Sequence, residues 1–85
     1  MRHEALFRFR SDQAEALFRA VSPEMEAEVN PRSRAECLLE GPGTLVLKVH
    51  AEDVAALRAS LNMWLRLISV AQEMQDLAIN QETNP

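Results

Sequence analysis

Few residues here have the type and spacing that bond chemistry needs. His3 and His50 are the two histidines of the chain, far apart in sequence and at the ends of strand-like segments. Neither stands in ligand spacing with another donor, and both are expected at the surface. Cys37 is the single cysteine. That excludes an intrachain disulfide and a cysteine-built metal site. Alternation places it among inward residues, as an inert core thiol rather than a nucleophile. The carboxylates of "EMEAE" at 24–28 read as a solvated acidic loop. Gly41 and Gly43 flank Pro42, the chemistry of a turn and not of a phosphate cradle. No catalytic constellation stands out, so no enzyme activity, cofactor or metal is expected.

The polar residues with the strongest functional claim are Arg58, Asn62 and Arg66. Steps of four set them along one edge of a helix, where two guanidinium groups flank an amide. Such a seam can fork onto a partner carboxylate or an RNA phosphate. Pairing within the chain, with Asp53, Glu73 or the acidic stretch, is the competing reading.

The elements that must position this seam follow from periodicity. In "HEALFRFR", Ala5, Phe7 and Phe9 alternate with Glu4, Leu6, Arg8 and Arg10, a half-buried strand. "SDQAEALFRAVSP" carries Ala14, Leu17, Phe18 and Val21 at helical spacing, with Ser11 or Asp12 able to cap and Pro23 expected to stop the helix. "EMEAEVNPRS" is expected to be a connecting loop. In "RAECLLEGPGTLVLKVH" the "GPG" breaks two alternating segments, predicting a hairpin. Its register would set Leu38 opposite Val46, Glu36 opposite Lys48, Cys37 opposite Leu47 and Leu39 opposite Leu45. A long helix begins near "AEDV", whose acidic residues suit a helix N-terminus, and is expected to reach about Ile79. The fold class is therefore α+β: a three-stranded antiparallel sheet with two helices packed on one face, in the order strand-helix-strand-strand-helix. Residues 1–80 form the single domain and 81–85 a polar C-terminal tail.

The long helix carries more apolar surface than this domain needs. At about 100° per residue, Leu57, Leu61, Trp64, Leu65, Ile68 and Ala71 form one stripe, which covers the sheet. Ala56, Met63, Leu67, Val70 and Met74 form a second, with nothing left in the chain to cover. A helix of about 27 residues is ~40 Å long, against a diameter of about 30 Å for a compact domain of this size. It should overhang its sheet while still apolar outside. Scattered surface apolars are common, but methionines on this stripe suit an adaptable partner surface. On the back of the sheet, Leu6, Leu38 and Val46 sit among Arg8, Glu36 and Lys48. Leu6, Arg8, Leu38, Val46 and Lys48 are accordingly expected to form a dimer face.

Composition narrows the classes. The chain has 85 residues, 47% of them hydrophobic, and a formal charge of −4, with pI near 5.1. Small cores of this size often gain burial by oligomerisation. The acidic balance argues against a self-sufficient nucleic-acid binder. The opening "MRHEALFRFR" has no signal-peptide pattern, and no uninterrupted apolar run approaches ~18 residues. No membrane span is expected, and a cytoplasmic location is the simplest.

At "VSPE", "AED" and above all "ALRASLNMWLRLI", the chain resembles the Pcc family, the small dimerising subunit of the KEOPS (EKC) complex. The resemblance covers nearly the whole chain, including element order and length. It rests mainly on Ala56, Leu57, Arg58, Ala59, Leu61, Asn62, Leu65 and Arg66. It implies a non-catalytic subunit that forms a homodimer and docks its two helices on those of the threonylcarbamoyl-transferase subunit. It also implies indirect contact with tRNA, in a complex that makes threonylcarbamoyladenosine beside the anticodon. A paralogue that heterodimerises with the standard subunit fits the same residues. The alternative of another class is a KH-like or generic α+β module that binds RNA alone; it lacks a "GXXG" loop and has few exposed aromatics.

Overall fold

The computed structural model describes the backbone of residues 2–83 and the side chains of 2–78. Its elements are β1 (His3–Arg10), α1 (Ala14–Ala27), β2 (Ser33–Leu39), β3 (Thr44–Ala51) and α2 (Val54–Thr83). The strands form one sheet in the order β1-β3-β2, antiparallel throughout. The architecture is the α+β fold expected from the periodicities.

The central strand explains the order. "TLVLKVHA" is the most apolar strand, and its odd positions Leu45, Leu47, Val49 and Ala51 are fully buried under the helices. Leu45, Leu47 and Val49 join Leu17, Val21 and Met25 of α1, Cys37 of β2, and Trp64 and Ile68 of α2 in one core. The hairpin register is the expected one: Leu38 faces Val46, Glu36 faces Lys48, Cys37 faces Leu47 and Leu39 faces Leu45. Gly41 closes this hairpin with φ of +76°, a left-handed conformation that glycine adopts without a Cβ penalty.

Helix α1 departs from expectation. It does not stop at Pro23 but runs through it to Ala27, so the first residues of "EMEAEVNPRS" are helical rather than loop. An interior proline costs a helix about 3 kcal/mol. The extra turn seats Met25 in the core, and burying such a side chain returns about 1.5–3 kcal/mol. The cap also differs. Ser11 Oγ accepts the Gln13 N–H at 3.0 Å, while Gln13 holds the N-cap position with no side-chain bond.

Helix α2 is capped by Asp53, whose Oδ1 accepts the Ala56 N–H at 2.7 Å. Asp53 also pairs with Arg32. Its carboxyl is held below the ordinary value, first by the Ala56 amide and then by Arg32. The helix ends at Thr83, beyond the expected Ile79; of the tail expected at 81–85, residues 84–85 lie outside the described residues. Thirty residues make a rod of about 45 Å, and the molecule measures 50 × 21 × 19 Å. α2 does overhang its sheet. Over Val54–Ala78, at a mean hydropathy of 1.2, α2 is by length and composition sufficient to cross a bilayer. A search for uninterrupted apolar runs misses this, because Arg58 and Arg66 divide the segment. Each arginine would cost about 2.5–3.5 kcal/mol at a bilayer centre.

Candidate partner-binding surfaces

On α2 the buried row is Ser60, Trp64 and Ile68, spaced by four. Leu57, Leu61, Leu65, Leu67 and Ala71 flank it, half-buried against the core. This moves the centre of the inner stripe onto Ser60. Leu67, expected on the outer stripe, shares in the core. The side facing away from β1 carries Met63, Val70 at 46% exposure, Met74 at 64% and Leu77 at 60%.

Met63 and Val70 line a groove between α2 and the last turns of α1. Glu24, Glu28, Asn62, Met63, Trp64, Arg66, Leu67 and Val70 enclose about 600 Å³. Toward the helix start, Ala56 and Met63 line a second hollow of about 230 Å³ that shares Glu28. The structure thus brings together Ala56, Met63, Leu67 and Val70, with Met74 further along the exposed face. It adds an acidic rim that sequence reasoning assigned to a loop. Because α1 continues past Pro23, Glu24 and Glu28 stand opposite Arg66 across an apolar floor. Leu77 also belongs to the exposed stripe; its step of seven from Val70 was the available signal.

The polar seam is not straight. Eight residues at 100° leave Arg66 about 80° around the helix from Arg58. Asn62 and Arg66 reach the α1 groove, and Arg58 does not line it. All three are exposed, and among the described residues neither arginine forms an ion pair. Asp53, one candidate partner, is taken by Arg32. Trp64 is buried, and its Nε1–H has no acceptor among the described residues.

The back of the sheet is less open than expected. Val46 is only 3% exposed, because Arg8 and Leu38 flank it in register on either side. Arg8 reaches across the central strand to Glu40, Nε to Oε1 at 3.0 Å. Lys48 is half-buried. Leu6 and Leu38 remain exposed, but on opposite edge strands and two residues out of register, about 12 Å apart.

The remaining chemistry-bearing residues fall as follows. Burial pushes the Cys37 thiol above its ordinary value. His3 and His50 are half-buried, not exposed as expected, and lie on adjacent strands. Alternation along each strand puts them on opposite faces, and His50 Nδ1 lies 3.3 Å from a Glu4 carboxylate oxygen. Among the described residues, no three His, Cys, Asp or Glu side chains converge on a metal-sized site.

No curated protein matches the chain. Residues 2–76 match the family model described as transcription factor Pcc1. That span holds both faces of the α1–α2 groove and all three strands, and the chain belongs to the Pcc1 family.

Proposed function

We propose that the chain is a non-catalytic scaffold subunit of a KEOPS-type complex. It docks the α1–α2 groove on helices of the threonylcarbamoyl-transferase subunit and supports threonylcarbamoyladenosine modification of tRNA. The observation that carries this reading is the groove itself: an apolar floor of Met63, Leu67 and Val70, continued by exposed Met74 and Leu77. Ridges of a partner helix interdigitate with such a floor at 8–10 Å between axes. Family membership supports this choice of complex. Self-association uses the sheet side and leaves the helices to the partner. tRNA is met within the assembly, since a charge of −4 gives this chain little counterion release of its own. The protein works in the cytoplasm, without cofactor, metal or membrane.

Co-expression with the transferase subunit tests this. The reading predicts stable co-purification and restored tRNA modification in cells that lack their own copy. Salt-dependent RNA binding by the isolated chain, without affinity for the transferase, would favour an independent RNA-binding module instead.

A further inference from the structure

Strand β2 forms one margin of the sheet, and among the described residues no strand pairs with its outer side. Hydrogen bonds just beyond both of its ends fix its phase. The Glu40 N–H donates to Thr44 O at 2.9 Å, and the Glu52 N–H to Arg32 O at 3.0 Å. Even residues of β2 therefore turn their main-chain groups toward β3, and Ser33, Ala35, Cys37 and Leu39 point theirs outward. Such an edge is a template for another strand. Two hollows flank its start and share Asn30, Ser33 and Arg34. One, of about 450 Å³, lies on the helix side against Met25, Glu26 and Glu28. The other lies on the back against Glu36 and His50. Ser33 is only 8% exposed, and its hydroxyl has no hydrogen-bond partner among the described residues. At the far end of the edge, Leu38 and Leu39 are both exposed, one on each face.

From this edge we propose that the partner seated in the α1–α2 groove also lays an extended segment along β2, as a fourth, antiparallel strand. Glu28 lines both the groove and the helix-side hollow, so the two surfaces are continuous. The inference thus rests on the transferase reading above and gives that partner a second contact. Helix α1, which packs chiefly over β2, limits what can lie here. A second copy paired β2 to β2 would bring its own α1 within about 5 Å, one strand spacing, where packed helices need 8–10 Å. A bare strand meets no such clash. Main-chain bonds to the odd residues supply affinity, and side chains on alternate faces supply specificity. Glu26 and Glu28 are exposed and form no ion pair among the described residues. The residue opposite Ser33 is therefore lysine or arginine, with its stem along Met25 and its charge on the two carboxylates. Opposite Leu38 and Leu39 the segment is apolar, once on each face. Proline is absent wherever the segment's N–H meets an outward carbonyl of β2.

Hydrogen exchange followed by NMR tests this without mutation, on the full chain alone and saturated with the purified transferase subunit. Amides of Ser33, Ala35, Cys37 and Leu39 should exchange freely in the isolated chain and at least tenfold more slowly in the complex. Those of Arg34, Glu36 and Leu38, bonded to β3, should be protected in both. Two variants probe the same contact, with thermal melts to check that each folds. Ala35→Pro removes an N–H that the chain's own ladder does not use, and should weaken transferase binding at least tenfold. Glu26→Lys reverses an exposed charge outside the α1–α2 groove, and should weaken it at least fivefold. A wild type without affinity for the transferase would overturn both this inference and the reading it rests on. Tight binding that leaves the four outward amides free, or wild-type affinity in a folded Ala35→Pro, would overturn the β2 contact alone. Unchanged affinity in Glu26→Lys would overturn the basic residue assigned to the segment.

Discussion

Arg58 and Arg66 look equivalent in the sequence, both four residues from Asn62, and the structure separates them. Arg66 lines the groove opposite Glu24 and Glu28, while Arg58 lies on the other flank. A charge-assisted hydrogen bond to a partner carboxylate contributes about 1.5–3 kcal/mol. Arg66→Ala should therefore weaken transferase binding by roughly tenfold or more, and Arg58→Ala should weaken it much less. Neither change opens a cavity, so melting should shift by no more than about 0.5 kcal/mol in stability. Titration calorimetry and thermal melts on both variants check this. An Arg58→Ala defect equal to that of Arg66→Ala would mean the whole seam is engaged. The seam was legible as a set of residues. Its division was not, because it depends on where α1 packs, and spacing along α2 carries no information about that.

Single elements show where local rules hold and where packing overrides them. The hairpin register was legible because "GPG" sets the turn and alternation sets the faces. The end of α1 was not, because the proline rule is local and the burial of Met25 is tertiary. Pro23→Ala supplies the missing N–H without disturbing Met25, and should stabilise the fold by about 1–3 kcal/mol. Unchanged or lower denaturant stability would mean that proline shapes the helix usefully there. At the start of α2, Asp53→Ala removes the bond to the Ala56 amide and should lower the melting temperature by several degrees. Its carboxyl is depressed in the folded state, so the stabilisation is complete above the ordinary aspartate range. It fades as pH falls through the lower folded value. The gap between wild type and Asp53→Ala should then narrow in strong acid, and a gap constant with pH would assign the effect to something other than the carboxylate.

For the whole molecule, the surplus of apolar surface was the legible feature. An 85-residue chain with a helix nearly as long as the protein itself cannot cover that helix alone. Composition and helical spacing were enough to locate the surplus on Met63, Val70 and Met74. The sheet back was overestimated, because the ion pair between Arg8 and Glu40 and the burial of Val46 arise only when three strands assemble. Leu67 likewise reads as outer by angle and packs partly inward, so it is a poor probe of binding. Val70 is the better one: it lines the groove and lies outside the core. Its replacement by Asp would place an unpaired carboxylate in a helix–helix contact, beside the acidic rim, at a cost of about 3 kcal/mol or more. The most direct test is the affinity of wild type and Val70→Asp for the purified transferase subunit, with melting temperatures measured alongside. The account predicts tight binding by wild type and a loss of at least about 100-fold in a variant that melts normally; equal affinities in two folded proteins would contradict it.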